Sequence, residues 1–380
     1  MPELLHSLRC LIHTALRWLA PLVFLYGLLV LASLVLGFAA QRAIAQTPET
    51  LRQATERLRQ LADLPALGVA IVTPQGVERL VVTGVRRRGE EVAATEHDLW
   101  HLGSCGKAMT ATLVARLVER GLIGWEDTLG QHFQDEAVQD SPLARATLIE
   151  LLAHRSGVPA NFDVRAYAGR QDVKAARRVR DAPGSRFEYS NWGYTIVAAM
   201  LEQATGKSFE TLLAEELFAP LGMTSAGFGG TGTPGRLDQP WPHDAAGRPY
   251  PHNGPEADHP PVLSPAGRMH MRLEDWARFV AEHLRGARGE SRFLKPESWR
   301  RLHTPVGEDY ALGWLAPQRP WAQGRALHHA GDNTLNFALV WAAPQAGFAV
   351  LVVTNQSGAS KAADRIASEA ILARLSNAPR

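Results

Sequence analysis

The chain has 380 residues, 46% hydrophobic and 21% charged, with a formal net charge of +2. That balance is ordinary for a globular protein and gives no reason to expect nucleic acid as a partner, since no basic run is interleaved with aromatics. Positive charge rests on 35 Arg and only five Lys, a bias that matters because Arg cannot lose its proton and Lys can.

Trp18 to Ala40 carries no charged residue and is bounded by Arg17 and Arg42. At about 1.5 Å per residue it is long enough to cross a hydrocarbon core of roughly 30 Å. The expectation is an N-terminal transmembrane helix, with residues 1–46 as membrane anchor. Ala43-Ile44-Ala45 keeps a cleaved secretory signal as the competing reading, and a buried core helix is the third. Both favoured readings put the rest of the chain outside the cytoplasm: periplasmic on a single-pass membrane anchor, or secreted after cleavage. Cys10 precedes this segment and Cys105 lies far beyond it, so no disulfide joins them in this reading, and no zinc-like spacing exists.

Thr47-Pro48-Glu49 reads as N-cap, first helical position and first-turn acid, followed by Leu51, Ala54, Leu58 and Leu61 at helical spacing. Leu67–Thr73 and Val77–Val85 flank Pro74-Gln75-Gly76 and predict a hairpin. Met109, Leu113 and Leu117 predict a helix apolar over most of its circumference, ending near Gly121 and therefore central and buried. Thr147-Leu148-Ile149-Glu150 is a capping box opening a helix that stops before Gly157, and a third helix runs from about Trp192 to Thr205. Gly227 to Pro265 is rich in Gly, Pro and His, without periodicity, and reads as a lid or binding loop. Leu327–Ala330, Phe337–Ala343 and Phe348–Thr354 predict strands, and Lys361–Leu375 a closing amphipathic helix. Strands at both ends with helices between them most economically make one antiparallel sheet with a helical insertion, an α+β unit over residues 47–380. The sheet lobe is expected at about 47–100 and 266–380, and the mostly helical lobe at about 101–265.

Three short stretches carry the chemistry. Ser104 and Lys107 are three apart, so on a helix the hydroxyl and the amine share a face. A free lysine, with a pKa of about 10.4, is a poor base at neutral pH, and burial disfavours its charged form. Tyr189 precedes Ser190-Asn191; beside an ammonium its phenol is drawn toward phenolate and can take a proton from Ser104, while the Asn191 amide can bind a substrate carbonyl. In His328-His329-Ala330-Gly331-Asp332 strand alternation sends the two imidazoles to opposite faces, so only one addresses the site, and Gly331 lets a substrate backbone approach. Each stretch alone has a plain alternative: a helix start with a solvated lysine, a cap, a satisfied strand histidine.

Together and in this order they resemble the serine β-lactamase/penicillin-binding-protein family, in its class C-like branch, whose pattern is S-x-x-K, Y-x-N, then K-T-G or H-x-G. That branch holds class C β-lactamases, D-alanyl-D-alanine carboxypeptidases, D-aminopeptidases and carboxylesterases. Leu152 to Pro159, Pro220 to Met223 and Ser264 to Gly267 are similar to its accessory stretches. The resemblance implies a β-lactamase/transpeptidase-like fold with an antiparallel sheet flanked by helices. It makes Ser104 the acylated nucleophile, Lys107 and Tyr189 the general-base pair and Asn191 a substrate ligand. Gly331 belongs to the H-x-G strand, and the N–H groups of Ser104 and Asp332 would form the oxyanion hole. His329 stands where lactamases carry lysine, so a substrate carboxylate is held weakly or not at all.

The expected activity is hydrolysis of an ester or amide in a small molecule or peptide through an acyl-enzyme, esterase or D-amino-acid peptidase rather than true β-lactamase, with no cofactor. The competing classes are a catalytically inactive binding or scaffold protein of this fold at the membrane, and a metallohydrolase using His243, His252 and His259 with Asp244 and Asp258.

Overall fold

The architecture follows from which runs of sequence are apolar on both faces. The computed structural model describes residues 50–160, 169–170, 183–184 and 186–376. The Trp18–Ala40 segment, Ala43-Ile44-Ala45, the Thr47-Pro48-Glu49 cap and Cys10 lie outside these residues. Among the described residues no helix is long and apolar enough to cross a membrane.

The described residues open with helix α1 (Leu51–Leu61), which buries Thr55 and Leu58, whereas Leu61 is exposed. Strands β1 (Ala66–Thr73) and β2 (Gly76–Gly84) form the predicted hairpin, with Thr73 opposite Gly76. Short β3 (Leu99–His101) leads to a 3-10 turn (Gly103–Gly106) and then to helix α2 (Lys107–Glu119). Helix α2 is buried from Lys107 through Ala115, as its all-round apolar sequence requires. Helix α3 (Leu148–Leu152) carries the predicted capping box, Glu150 N donating to Thr147 Oγ1 at 3.2 Å and Thr147 N to Glu150 Oε2 at 2.9 Å. It is shorter than the sequence suggested because His154 takes a left-handed φ of 60° and turns the chain. Helix α4 (Asn191–Thr205) is capped by Ser190, whose Oγ accepts from Gly193 N at 3.0 Å, and ends at Gly206 with φ 70°.

Two-residue β4 (Gly227–Phe228) and β5 (Met269–Arg272) join β3 in a small antiparallel sheet ordered β3-β5-β4. Helices α5 (Leu273–Ala287) and α6 (Pro296–His303) follow, then the ribbon of β6 (Gln318–Arg319) and β7 (Gly324–Arg325). The described residues close with β8 (Leu327–Asp332), β9 (Phe337–Ala343), β10 (Phe348–Thr354) and helix α7 (Ser360–Ser376). The main sheet is antiparallel throughout, ordered β2-β1-β10-β9-β8.

Strand β10 shows why the sheet is sandwiched. Ala349, Leu351 and Val353 face the core shared with α2 and α5, while Phe348, Val350 and Val352 face the one covered by α1 and α7. A strand apolar on both faces is stable only when both are covered, and each large apolar side chain so buried contributes roughly 1.5–3 kcal/mol. Strand β8 is the sheet edge, and its free side meets the turn that carries Ser104.

Candidate active site

The geometry begins at the turn before α2, where backbone donors can be counted one by one. Cys105 N donates to Leu102 O at 3.1 Å and Gly103 N to His101 Nδ1 at 3.1 Å. The first N–H groups of a helical turn have no partner within it, so with Gly103 N and Cys105 N engaged, Ser104 N is the donor available to a substrate. On β8, His328 exchanges both backbone hydrogen bonds with Leu315, on the side away from β9. Strand alternation then points the N–H of Asp332, four residues on, to that same free side.

These two donors are brought together because β8 and the turn touch at backbone distance. A Cβ on Gly331 would lie 2.0 Å from Leu102 O and 2.7 Å from Ser104 N. A Cβ on Gly103, at φ +49°, would meet Gly331 C at 2.7 Å and Asp332 N at 2.8 Å. Only glycine permits this approach. The Asp332 carboxylate turns elsewhere, accepting from Ser357 Oγ at 2.8 Å and Gly358 N at 2.8 Å.

Lys107 is fully buried. Its Nζ lies 3.0 Å from Ser104 Oγ, 2.7 Å from Asn191 Oδ1 and 2.6 Å from Ala266 O. Burial lowers its pKa to about 7, because taking an ammonium out of water without a carboxylate partner disfavours the charged form. The neutral amine has two hydrogens and one lone pair. Asn191 Oδ1 and Ala266 O can only accept, so they take the hydrogens and the lone pair faces Ser104.

Tyr189 lies just before the cap of α4, with its ring 4.8 Å from Lys107 Nζ. Burial raises its pKa, and a hydrogen bond with Ser104 opposes that rise without cancelling it. The expectation of a phenol drawn toward phenolate is therefore corrected: desolvation is the largest influence on Tyr189 and favours the neutral phenol. Asn191, the first residue of α4, holds Lys107 through its amide oxygen.

The two histidines of β8 diverge as alternation requires. His328 stacks on Trp341 with centroids 3.9 Å apart, outside the site. His329 turns inward and is buried. A chain of hydrogen bonds that the sequence did not reveal holds it there. Ser190 N donates to His154 Nδ1 at 3.0 Å, His154 Nε2 meets Tyr310 Oη at 3.1 Å, and Tyr310 Oη meets His329 Nε2 at 3.2 Å. Because Ser190 N–H occupies Nδ1, the His154 hydrogen is on Nε2 and points at Tyr310. Tyr310 then donates to His329 Nε2, and His329 Nδ1 donates to Ala330 O at 2.8 Å. Burial, with Lys107 nearby, lowers the His329 pKa to about 3 and that of His154 well below its ordinary value. His329 is thus neutral, with both nitrogens engaged, and supplies no charge to a substrate carboxylate. The signal in the sequence was His154 within Leu152 to Pro159; Tyr310 carried none.

Cys105 is buried against His329 O at 3.5 Å, and burial pushes its thiol pKa up, so it is inert packing. Four of the five residues considered as metal ligands have other partners. His243 spends one nitrogen on Asn355 O and the other on Arg88 N, Asp244 binds Arg248, His252 packs on Tyr250, and Asp258 pairs with His101. Among the described residues no group of three or more His, Cys, Asp or Glu could hold a metal ion.

The beta-lactamase family model matches residues 51–374. Penicillin-binding protein 4 of Amycolatopsis lactamdurans is 33% identical over 178 residues, 44% of this chain and 46% of that protein. Penicillin-binding protein 4* of Bacillus subtilis (strain 168) is 27% identical over 263 residues, 62% of this chain and 56% of that protein. The chain therefore spans about half the length of the curated relatives it matches. The octameric penicillin-binding protein homologue from Pyrococcus abyssi superposes with a TM-score of 0.70 at 18% identity, covering 86% of this chain and 77% of that one, a likeness of fold.

Proposed function

Because the chain belongs to the beta-lactamase family, whose members are serine hydrolases, we propose that it hydrolyses an ester or amide bond through an acyl-enzyme on Ser104. The observation that carries this is the fully buried Lys107 amine, 3.0 Å from Ser104 Oγ with the acceptors Asn191 Oδ1 and Ala266 O on its other sides, where burial lowers its pKa to about 7. In the proposed cycle Lys107 accepts the Ser104 proton as Oγ attacks the carbonyl. The oxyanion settles between the N–H groups of Ser104 and Asp332. The Tyr189 phenol relays the proton to the leaving group, and the acyl-enzyme is hydrolysed by a water that the same pair deprotonates.

Within that reaction the proposal is an esterase or D-amino-acid peptidase rather than a β-lactamase. A neutral His329 with both nitrogens engaged favours substrates that need no cationic anchor. The same proposal places the catalytic part outside the cytoplasm, tethered by Trp18–Ala40 or released by cleavage after Ala45, with a sheet lobe and a helical lobe meeting at Ser104. Membrane fractionation of the expressed chain, with N-terminal sequencing of the mature form, separates tether from signal.

The activity is tested by hydrolysis of a short-chain p-nitrophenyl ester beside Ser104→Ala, followed by a panel of D-amino-acid peptides and penicillins. Turnover lost with Ser104 is expected. Equal turnover in both proteins would reject the assignment.

A further inference from the structure

The residues that hold the two oxyanion donors in place converge on one buried carboxylate that the catalytic cycle does not use. Asp258 Oδ2 lies 2.8 Å from His101 Nε2, and Asp258 Oδ1 accepts from Asn333 Nδ2 at 3.0 Å and from His259 N at 2.8 Å. The His101 and Asp258 side chains are 1% and 0% exposed, so these bonds do not compete with water. Arg268 Nε, also buried, is 3.5 Å from Asp258 Oδ2 and offsets its charge. Burial alone would raise the Asp258 pKa. His101, Asn333 and the His259 N–H outweigh it and bring the value to about 2, so the carboxylate is ionised at any working pH.

Two partners of Asp258, His101 and Asn333, each adjoin one side of the oxyanion hole. His101 Nδ1 accepts the N–H of Gly103, the residue before Ser104. That bond fixes the imidazole hydrogen on Nε2, where only an acceptor such as Asp258 satisfies it. Asn333 follows Asp332, and its Oδ1 accepts from Asn336 N at 2.8 Å and Leu335 N at 3.3 Å, shaping the β8–β9 connection. Gly331 and Gly103 are in backbone contact between these anchors.

We propose that Asp258 is a positioning residue that fixes the spacing of the Ser104 and Asp332 N–H groups, by holding His101–Gly103 on one side and Asn333 on the other. The aperiodic 227–265 stretch then delivers a carboxylate behind the site. The proposal rests on the acyl-enzyme reading of Ser104.

The test compares Asp258→Asn with the reciprocal double variant Asp258→Asn/Asn333→Asp. In the single variant an amide N–H replaces Oδ1 and faces both the Asn333 side-chain N–H and the His259 backbone N–H, so both hydrogen bonds to Oδ1 are lost at constant shape. In the double variant that amide donates to the carboxylate now placed at position 333, and its oxygen still accepts from His101. Expected for the single variant is a fall in kcat of about 10²-fold, the scale of one lost oxyanion donor, with KM changed less than threefold. Affinity for phenylboronic acid, whose Ser104 adduct is tetrahedral, should weaken by a similar factor, and the double variant should recover at least tenfold of each loss. Thermal melting checks that both variants fold; if Asp258→Asn does not, His101→Gln is measured with the same readouts and expectations. A kcat and boronate affinity within threefold of wild type in a folded variant would overturn the proposal. So would a rise in KM alone, or no recovery in a folded double variant. Boronate affinity is read without turnover: a chain that binds boronate through Ser104 but hydrolyses no ester defeats the hydrolase reading and leaves this test standing on affinity.

Discussion

The Lys107 amine stands 3.0 Å from the Ser104 hydroxyl with two pure acceptors, Asn191 Oδ1 and Ala266 O, on its remaining sides. Those acceptors decide the direction of proton transfer: once neutral, the amine has only its lone pair left for Ser104.

Lys107→Arg keeps a cation and much of the length but cannot become a base. Its acylation rate, read as the pre-steady-state burst of p-nitrophenol, should fall by about 10³-fold, within the range for a lost general base. Lys107→Met should fall as far despite filling the same buried volume. A burst within tenfold of wild type in either variant would mean that another group takes the proton.

The pH profile follows from the lowered Lys107 pKa of about 7. The base form is the active one, so kcat/KM should rise about tenfold per pH unit below that value and level off above it. Stability has the same sign. Between about 7 and 10.5 the unfolded chain binds the lysine proton and the folded chain does not, so this group makes folding more favourable as pH rises through that window. Rate measurements from about pH 5 to 9 span the folded lysine value, and denaturant titrations at about pH 7 and about pH 9.5 read the stability change within the window.

Gly331→Ala puts a methyl group 2.0 Å from Leu102 O and 2.7 Å from Ser104 N. Both neighbours are backbone, so β8 and the turn must separate, which pulls the two oxyanion donors apart. The expected outcome is a loss of kcat of about 10²-fold or more with a lowered melting temperature, checked by steady-state kinetics and calorimetry.

A neutral His329 makes a prediction about substrates. Paired p-nitrophenyl esters with and without a terminal carboxylate should differ in KM by less than threefold at pH 8. A charged anchor would contribute about 1.5–3 kcal/mol, a preference of tenfold or more, and finding one would show that a cation reaches the substrate.

Much of this was legible because local rules and tertiary need agreed. The hairpin, β9, β10, the Ser190-capped helix and the closing helix appear within a residue or two of their predicted bounds, since each couples an apolar pattern to a clear turn or cap. Ser104 and Lys107 do meet, although through a 3-10 turn into α2 rather than along one α-helix. Short β3, β4 and β5 were missed because two to four residues carry no period. Tyr189 was read with the wrong electrostatic balance, since a sequence shows neighbours but not desolvation. The Asp258 and Tyr310 networks were invisible for a related reason. Their partners are 19 to 157 residues apart, and only the fold brings them together.

The central claim is that Ser104 becomes acylated. Intact-mass spectrometry of the chain, quenched in acid during turnover of a slowly deacylating p-nitrophenyl ester, tests it directly. The account expects a mass gain equal to the acyl group, mapping to the peptide that bears Ser104 and vanishing in Ser104→Ala. Turnover at the wild-type rate by Ser104→Ala, with no acyl mass on the wild-type chain, would contradict it.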